Sequence, residues 1–211
     1  MKKNSTLILI ICIFIMVFTS CEQKRPMLED FAKYSNYLKN GDLDGVKKYY
    51  KKFGKYALLE YGVEGLYKIN PLEGALFYRH YDIADFLLKK GADPNAISPT
   101  GNCPLIFNLI NNDNVDGVAL LLANNVNLSN LKIATQSNVL TEAAWGGNVK
   151  MIELLLKEID NINEVNSKNG FSAIFICAAE NFYDCVKLLT ENGADINLLT
   201  KDGSSALMIA I

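Results

Sequence analysis

Asn70–Asn95 reads NPLEGALFYRHYDIADFLLKKGADPN, and Phe171–Asn197 reads FSAIFICAAENFYDCVKLLTENGADIN. Each stretch opens on a short apolar run, breaks at a polar turn, becomes apolar again at helical spacing, and closes on Gly-Ala-Asp-x-Asn. Two further blocks follow the plan more loosely. They are Cys103–Leu128, CPLIFNLINNDNVDGVALLLANNVNL, and Asn138–Asn163, NVLTEAAWGGNVKMIELLLKEIDNIN. Leu72, Leu105, Leu140, Ile174 and Leu207 hold matching places, spaced 33, 35, 34 and 33 residues apart. The closing turns at Gly91, Asn125, Ile159 and Gly193 recur every 34.

Within one block, Leu140–Trp145 and Val149–Leu156 read as two antiparallel helices joined by a tight turn at Gly146-Gly147. Neither helix can bury its apolar stripe alone, so the blocks must stack and draw stability from their neighbours. A more divergent copy spans Leu28–Phe53, with Gly41-Asp42 at its turn and Val46, Tyr49 and Tyr50 expected to face inward. Its charged surface suits an amino-terminal cap. At the other end, DGSSALMIAI opens a further repeat and leaves Ile209 and Ile211 without a second helix to cover them. A natural product that continues past Ile211 is therefore expected.

A period near 33 with an opening of the T-P-L-H-x-A type resembles the ankyrin repeat. The residues that carry the resemblance are Pro71-Leu72, Pro104-Leu105, Ala143-Ala144, Gly147-Asn148 and Ala178-Ala179, with the closing runs Gly91–Asn95 and Gly193–Asn197. Glu73, Ile106, Thr141, Phe175 and Met208 stand where the family opening has histidine. The resemblance covers residues 28–211. It implies an all-α ankyrin-repeat solenoid of stacked helix-turn-helix units with short hairpin loops, about five repeats plus an incomplete last one.

The amino-terminal segment has a different character. Lys2 and Lys3 precede Leu7–Phe18, an uninterrupted apolar run, and then come Thr19, Ser20 and Cys21. The run is too short for a membrane span, which needs ~20 apolar residues, and fits a signal-peptide core of ~7–15. Phe18-Thr19-Ser20-Cys21 resembles the lipobox of bacterial lipoproteins, with Phe18 where an aliphatic residue is usual. That resemblance implies a signal peptide at 1–20, cleavage before Cys21, lipid on the Cys21 thiol, and a tether at 21–27. Stable anchoring takes more than one acyl chain. The expected location is the bacterial cell envelope, exported and membrane-anchored; the alternative is an uncleaved amino-terminal membrane anchor.

Charge and composition remove several function classes. The chain carries 21 basic and 23 acidic residues, so nucleic acid is not an expected partner. Five cysteines without a C-x-x-C pair argue against a disulfide framework or a zinc ribbon. A single histidine, His80, leaves little room for a histidine-based catalytic pair. Asn112–Gly117, NDNVDG, imitates the start of a calcium loop, but Ala123 stands where the bidentate glutamate belongs. Cys177 and Cys185 fall at small core positions, and Cys103 at the threonine place of the opening. No catalytic residue, metal ligand, cofactor or small-molecule substrate is expected.

What remains is a surface. In ankyrin arrays the partner lies against the hairpin tips and the exposed ends of the first helices, and the resemblance carries those places onto this chain by register. They are Phe77 and Tyr78, Ile110 and Asn111, Trp145 and Gly146, Ala179 and Glu180, with Asn102, Phe171 and Ser204 just after the hairpin glycines. Phe77, Ile110, Trp145 and Phe171 are large and apolar where a fold alone would tolerate polar residues, and such anchors dominate binding energy at interfaces. Packing against the next repeat would account for them equally well, with the balance tipped towards binding for Trp145. The expected function is a lipid-anchored protein-interaction scaffold that works through its concave face. Three other readings stay open: an inhibitor or immunity-type protein of the envelope, a binding module of a longer protein whose enzymatic or transport domain lies beyond Ile211, and a self-associating structural protein.

Overall fold

The computed structural model describes residues 25–59, 70–99, 102–129, 131 and 133–209. The leader, Cys21 and Ile211 lie outside them. Helices α1 (Leu28–Asn40) and α2 (Leu43–Phe53) form the first pair, followed by a short 3-10 turn at Gly54–Leu58. Then come α3 (Pro71–Phe77) with α4 (Tyr81–Lys89), α5 (Leu105–Asn111) with α6 (Val115–Ala123), α7 (Val139–Gly146) with α8 (Val149–Leu156), and α9 (Ala173–Ala179) with α10 (Tyr183–Glu191). A last helix, α11 (Ala206–Ile209), packs on α9.

First helices stack on first helices along the chain (α1, α3, α5, α7, α9, α11), and second helices stack on second helices in a parallel row. The core lies between the rows. Leu72, Leu76, Leu105, Leu140 and Ile174 enter it from one side, and Ile83, Leu87, Val118, Leu121, Ile152, Leu155 and Leu189 from the other. In the first pair, Tyr34 stacks on Tyr49 at 4.0 Å and donates its hydroxyl to the Ala57 carbonyl at 2.7 Å. Val46 and Tyr49 are buried there as expected, whereas Tyr50 is half-buried and meets Phe86 of the next repeat edge-on.

The helices are short, so their ends decide where they sit. Side chains of Asp42, Asn70, Asn114, Asn138, Asn148 and Ser172 cap them by accepting backbone N–H groups of the first turn. Between the two helices of each pair one residue is left-handed: Gly41, Arg79, Asp113, Gly147 and Asn181, with φ of 71°, 59°, 51°, 62° and 60°. Glycine is favoured at Gly41 and Gly147, where a Cβ would lie 2.7 Å from the His80 and Phe182 rings respectively. The missing family histidine is replaced locally. Thr141 exchanges two hydrogen bonds with the Asn138 backbone and side chain, while Glu73 accepts from Ser98 at 2.5 Å and from Asn108 of α5 at 3.1 Å.

Two details depart from the sequence reading. Gly91, Asn125 and Gly193 close their repeats in the left-handed region, but Ile159 does not. A β-branched residue resists positive φ, and α8 instead ends at Leu156 with Lys157 still right-handed. Asn102 does not follow the hairpin corner but is the corner, with φ 46°, in the place Gly170 takes with φ 80°. The same two backbone bonds close both turns: Asn102 to Ser98 and Ser98 to Cys103 in one, Gly170 to Asn166 and Asn166 to Phe171 in the other. The structural equivalent of Phe171 is thus Cys103.

Candidate functional site: two grooves along the first helices

The first helices α3, α5, α7 and α9 are only about two turns long, so their last residues stand at the edge of the stack. Between α3 and α5 lies a cavity of about 490 Å³, lined by Glu73, Phe77, Arg79, Asn108, Leu109 and Asn112 among others. Between α5 and α7 lies a second, of about 450 Å³, lined by Ile110, Asn111, Asp113, Glu142, Trp145 and Asn148 among others. The two share α5 as their common wall.

Phe77 is 67% exposed and Trp145 46% exposed, and Tyr78, 42% exposed, meets Phe77 edge-on at 5.2 Å. Asn111 and Glu180 are exposed on the same row of helix ends. Ile110 is not a surface anchor. It is 6% exposed and forms part of the second groove's lining, because α7 packs against α5 and covers most of it. Phe171 is half-buried, packed on Phe175 at 4.6 Å. Asn102 is exposed at its hairpin corner, outside both grooves.

Several polar groove residues were not among the candidate contacts read from the sequence: Glu73, Arg79, Asn108, Asn112, Asp113, Glu142 and Asn148. Glu142 was within reach, since it lies three residues before Trp145 on one helix and so shares its face. Its side chain is half-buried and makes no hydrogen bond or ion pair with any described residue. Asp113 accepts from the Asn148 amide at 2.5 Å. In the first groove Glu73 is engaged by Ser98 and Asn108, and Arg79 donates to the Asn112 carbonyl at 3.3 Å. Among the described residues no lysine, arginine or histidine lines the second groove.

The remaining candidates are structural. Burial pushes the Cys177 and Cys185 thiols up, and Cys185 donates to the Gly147 carbonyl at 3.1 Å. Burial, with Glu73 and Glu142 nearby, raises Cys103 as well. Such thiols are poor nucleophiles. The calcium-like run spends its oxygens inside the fold: Asn114 accepts from Gly117 and from the Tyr81 hydroxyl, and Asp113 from Asn148. Among the described residues no group of three His, Cys, Asp or Glu is placed to hold a metal, and no helix is long and apolar enough to cross a membrane. A further cavity of about 620 Å³ opens at the closing turns of the α5/α6 and α7/α8 pairs, away from every predicted residue.

The family model described as "Ankyrin repeats (3 copies)" matches residues 72–164 and again 140–211. The chain belongs to the ankyrin-repeat family. Among solved structures, the ankyrin repeat domain of Bcl-3 superposes with a TM-score of 0.72 at 21% identity, over 83% of this chain and 77% of that one. An ankyrin repeat domain from Acinetobacter baumannii gives 0.71 at 22% identity, over 84% and 89%. Ankyrin repeat protein L371 of Acanthamoeba polyphaga mimivirus is 27% identical over 202 residues, 88% of this chain but 22% of its own length. The Notch-regulated ankyrin repeat-containing protein of Xenopus laevis is 36% identical over 86 residues, 75% of its length. Palmitoyltransferase AKR1 of Lachancea kluyveri is 31% identical over 148 residues, 19% of its length. The chain spans about a quarter or less of the first curated relatives it matches. Ankyrin repeats generally serve as protein-interaction modules, and this chain carries that module.

Proposed function

We propose that this ankyrin-repeat protein is exported, anchored to the bacterial envelope by lipid on Cys21, and binds a protein partner along its first-helix face. The observation that carries the binding half is the pair of exposed aromatics, Phe77 and Trp145, each lining one of two adjacent grooves, with Tyr78 edge-on to Phe77. Exposed aromatic surface of this kind is costly in water and is characteristic of interface anchors. The membrane half rests on the sequence of residues 1–21, a basic start, an apolar core and Thr-Ser-Cys. The short tether at 21–27 would hold the array close to the lipid surface.

Both halves are testable in the full chain. Labelling cells with an alkynyl fatty acid should tag the wild type and not Cys21→Ser, whose leader should also remain uncleaved. Tagging that persists in Cys21→Ser removes the anchor. A photo-crosslinker placed at 145 or 77 should capture one protein whose purified form binds the wild type and loses affinity for Trp145→Ala. Absence of any adduct from both positions removes the interface.

A further inference from the structure

The α5/α7 groove has a chemistry that its neighbour lacks. Its floor is apolar, from Ile110 and Ala143, and one wall is the Trp145 ring. Around that ring stand two carboxylates, Glu142 one turn back on α7 and Asp113 at the corner after α5. Asp113 is bonded to Asn148, but Glu142 has no partner among the described residues although it is half-buried. A half-buried carboxylate left to water gives up attraction that a cation would supply. The α3/α5 groove brings its own guanidinium, Arg79, and ties down its carboxylate, Glu73. Among the described residues the α5/α7 groove has no cation of its own.

We infer that the α5/α7 groove accepts a basic side chain, arginine above all, from an extended segment of the partner protein. The guanidinium lies against the Trp145 ring while its N–H groups reach the Glu142 carboxylate. Arginine fits better than lysine because its planar, weakly hydrated head stacks on an aromatic face and pairs bidentately with a carboxylate. This inference rests on the first-helix face being the binding surface.

Trp145 is the single tryptophan of the chain, so its emission reports on the groove directly. Full-length protein is titrated with a tetra-arginine amide and with its neutral isostere, tetra-citrulline amide. The expected result is a saturable change with tetra-arginine, about tenfold weaker with tetra-citrulline and about tenfold weaker for Glu142→Gln. Glu158→Gln, outside the groove, should bind as the wild type does. Equal response to the two peptides, equal affinity of Glu142→Gln, or no saturable change overturns the inference. Should Glu142→Gln fail to fold, the wild type still decides. Its affinity for tetra-arginine must fall between low and high salt, and a salt-independent affinity overturns the inference. A partner captured from position 145 that binds Glu142→Gln as tightly as the wild type removes the arginine contact alone and leaves the interface standing.

Discussion

The grooves on either side of α5 come from one repeat register yet differ in what they leave undone. Phe77, Ile110 and Trp145 each follow the buried leucine of their helix (Leu72, Leu105 and Leu140) by the same interval. One of the three is buried and two are exposed. On the α3 side the carboxylate and the guanidinium both find partners within the chain, so the groove is close to satisfied. On the α7 side the carboxylate stands open beside an exposed tryptophan. The repeat plan therefore sets where a groove forms. Side chains outside the plan set whether it needs a partner.

The sharpest way to break that contrast is at the shared wall. Ile110→Ala should cost about 2–4 kcal/mol of unfolding free energy, because it opens a cavity beneath α7. Trp145→Ala, at an exposed ring, should cost about 1 kcal/mol or less. Urea melts of the two variants measure both, and a larger loss for Trp145→Ala would reverse their roles. Next comes the corner after α7. Gly147→Ala must hold a positive φ and push against the Phe182 ring, for a loss of about 1–2 kcal/mol by the same melts.

The two carboxylates then test the electrostatic half. Glu73→Gln weakens charge-assisted bonds to Ser98 and Asn108 and should lower stability by about 1 kcal/mol. Glu142→Gln should leave the thermal midpoint where it is, since nothing described in the fold uses that charge; a clear drop would mean that Glu142 is structural. A similarly small effect belongs to Arg79→Ala. One long bond from an exposed guanidinium to Asn112 is lost, and the change should stay within about 0.5 kcal/mol.

Much of the architecture was legible in the residues. A recurrent leucine and a recurrent corner fix helix pairs in register, because only stacked pairs bury both apolar stripes. Register was less dependable in the connections. Asn102 took the hairpin corner itself, since asparagine tolerates positive φ and the stretch from that corner to the recurrent aliphatic position, Leu105, is one residue shorter than that from Gly170 to Ile174. Ile159 looked like a closing turn by period, yet its branched side chain resists the conformation its counterparts adopt.

By itself the sequence determined the period, and with it the all-α solenoid, the family, the order of the helix rows and the row of positions from which a groove could be built. These depend on spacing along the chain, which a reader can count. Only the tertiary structure decided that Ile110 is floor while Phe77 and Trp145 are rim, and that Glu73 is engaged while Glu142 is open. The reason is physical. Exposure and charge pairing depend on what the neighbouring repeat brings across the interface: helix α7 over Ile110, Ser98 and Asn108 beside Glu73. Those partners lie 25 or more residues away along the chain, and no period within one repeat encodes them.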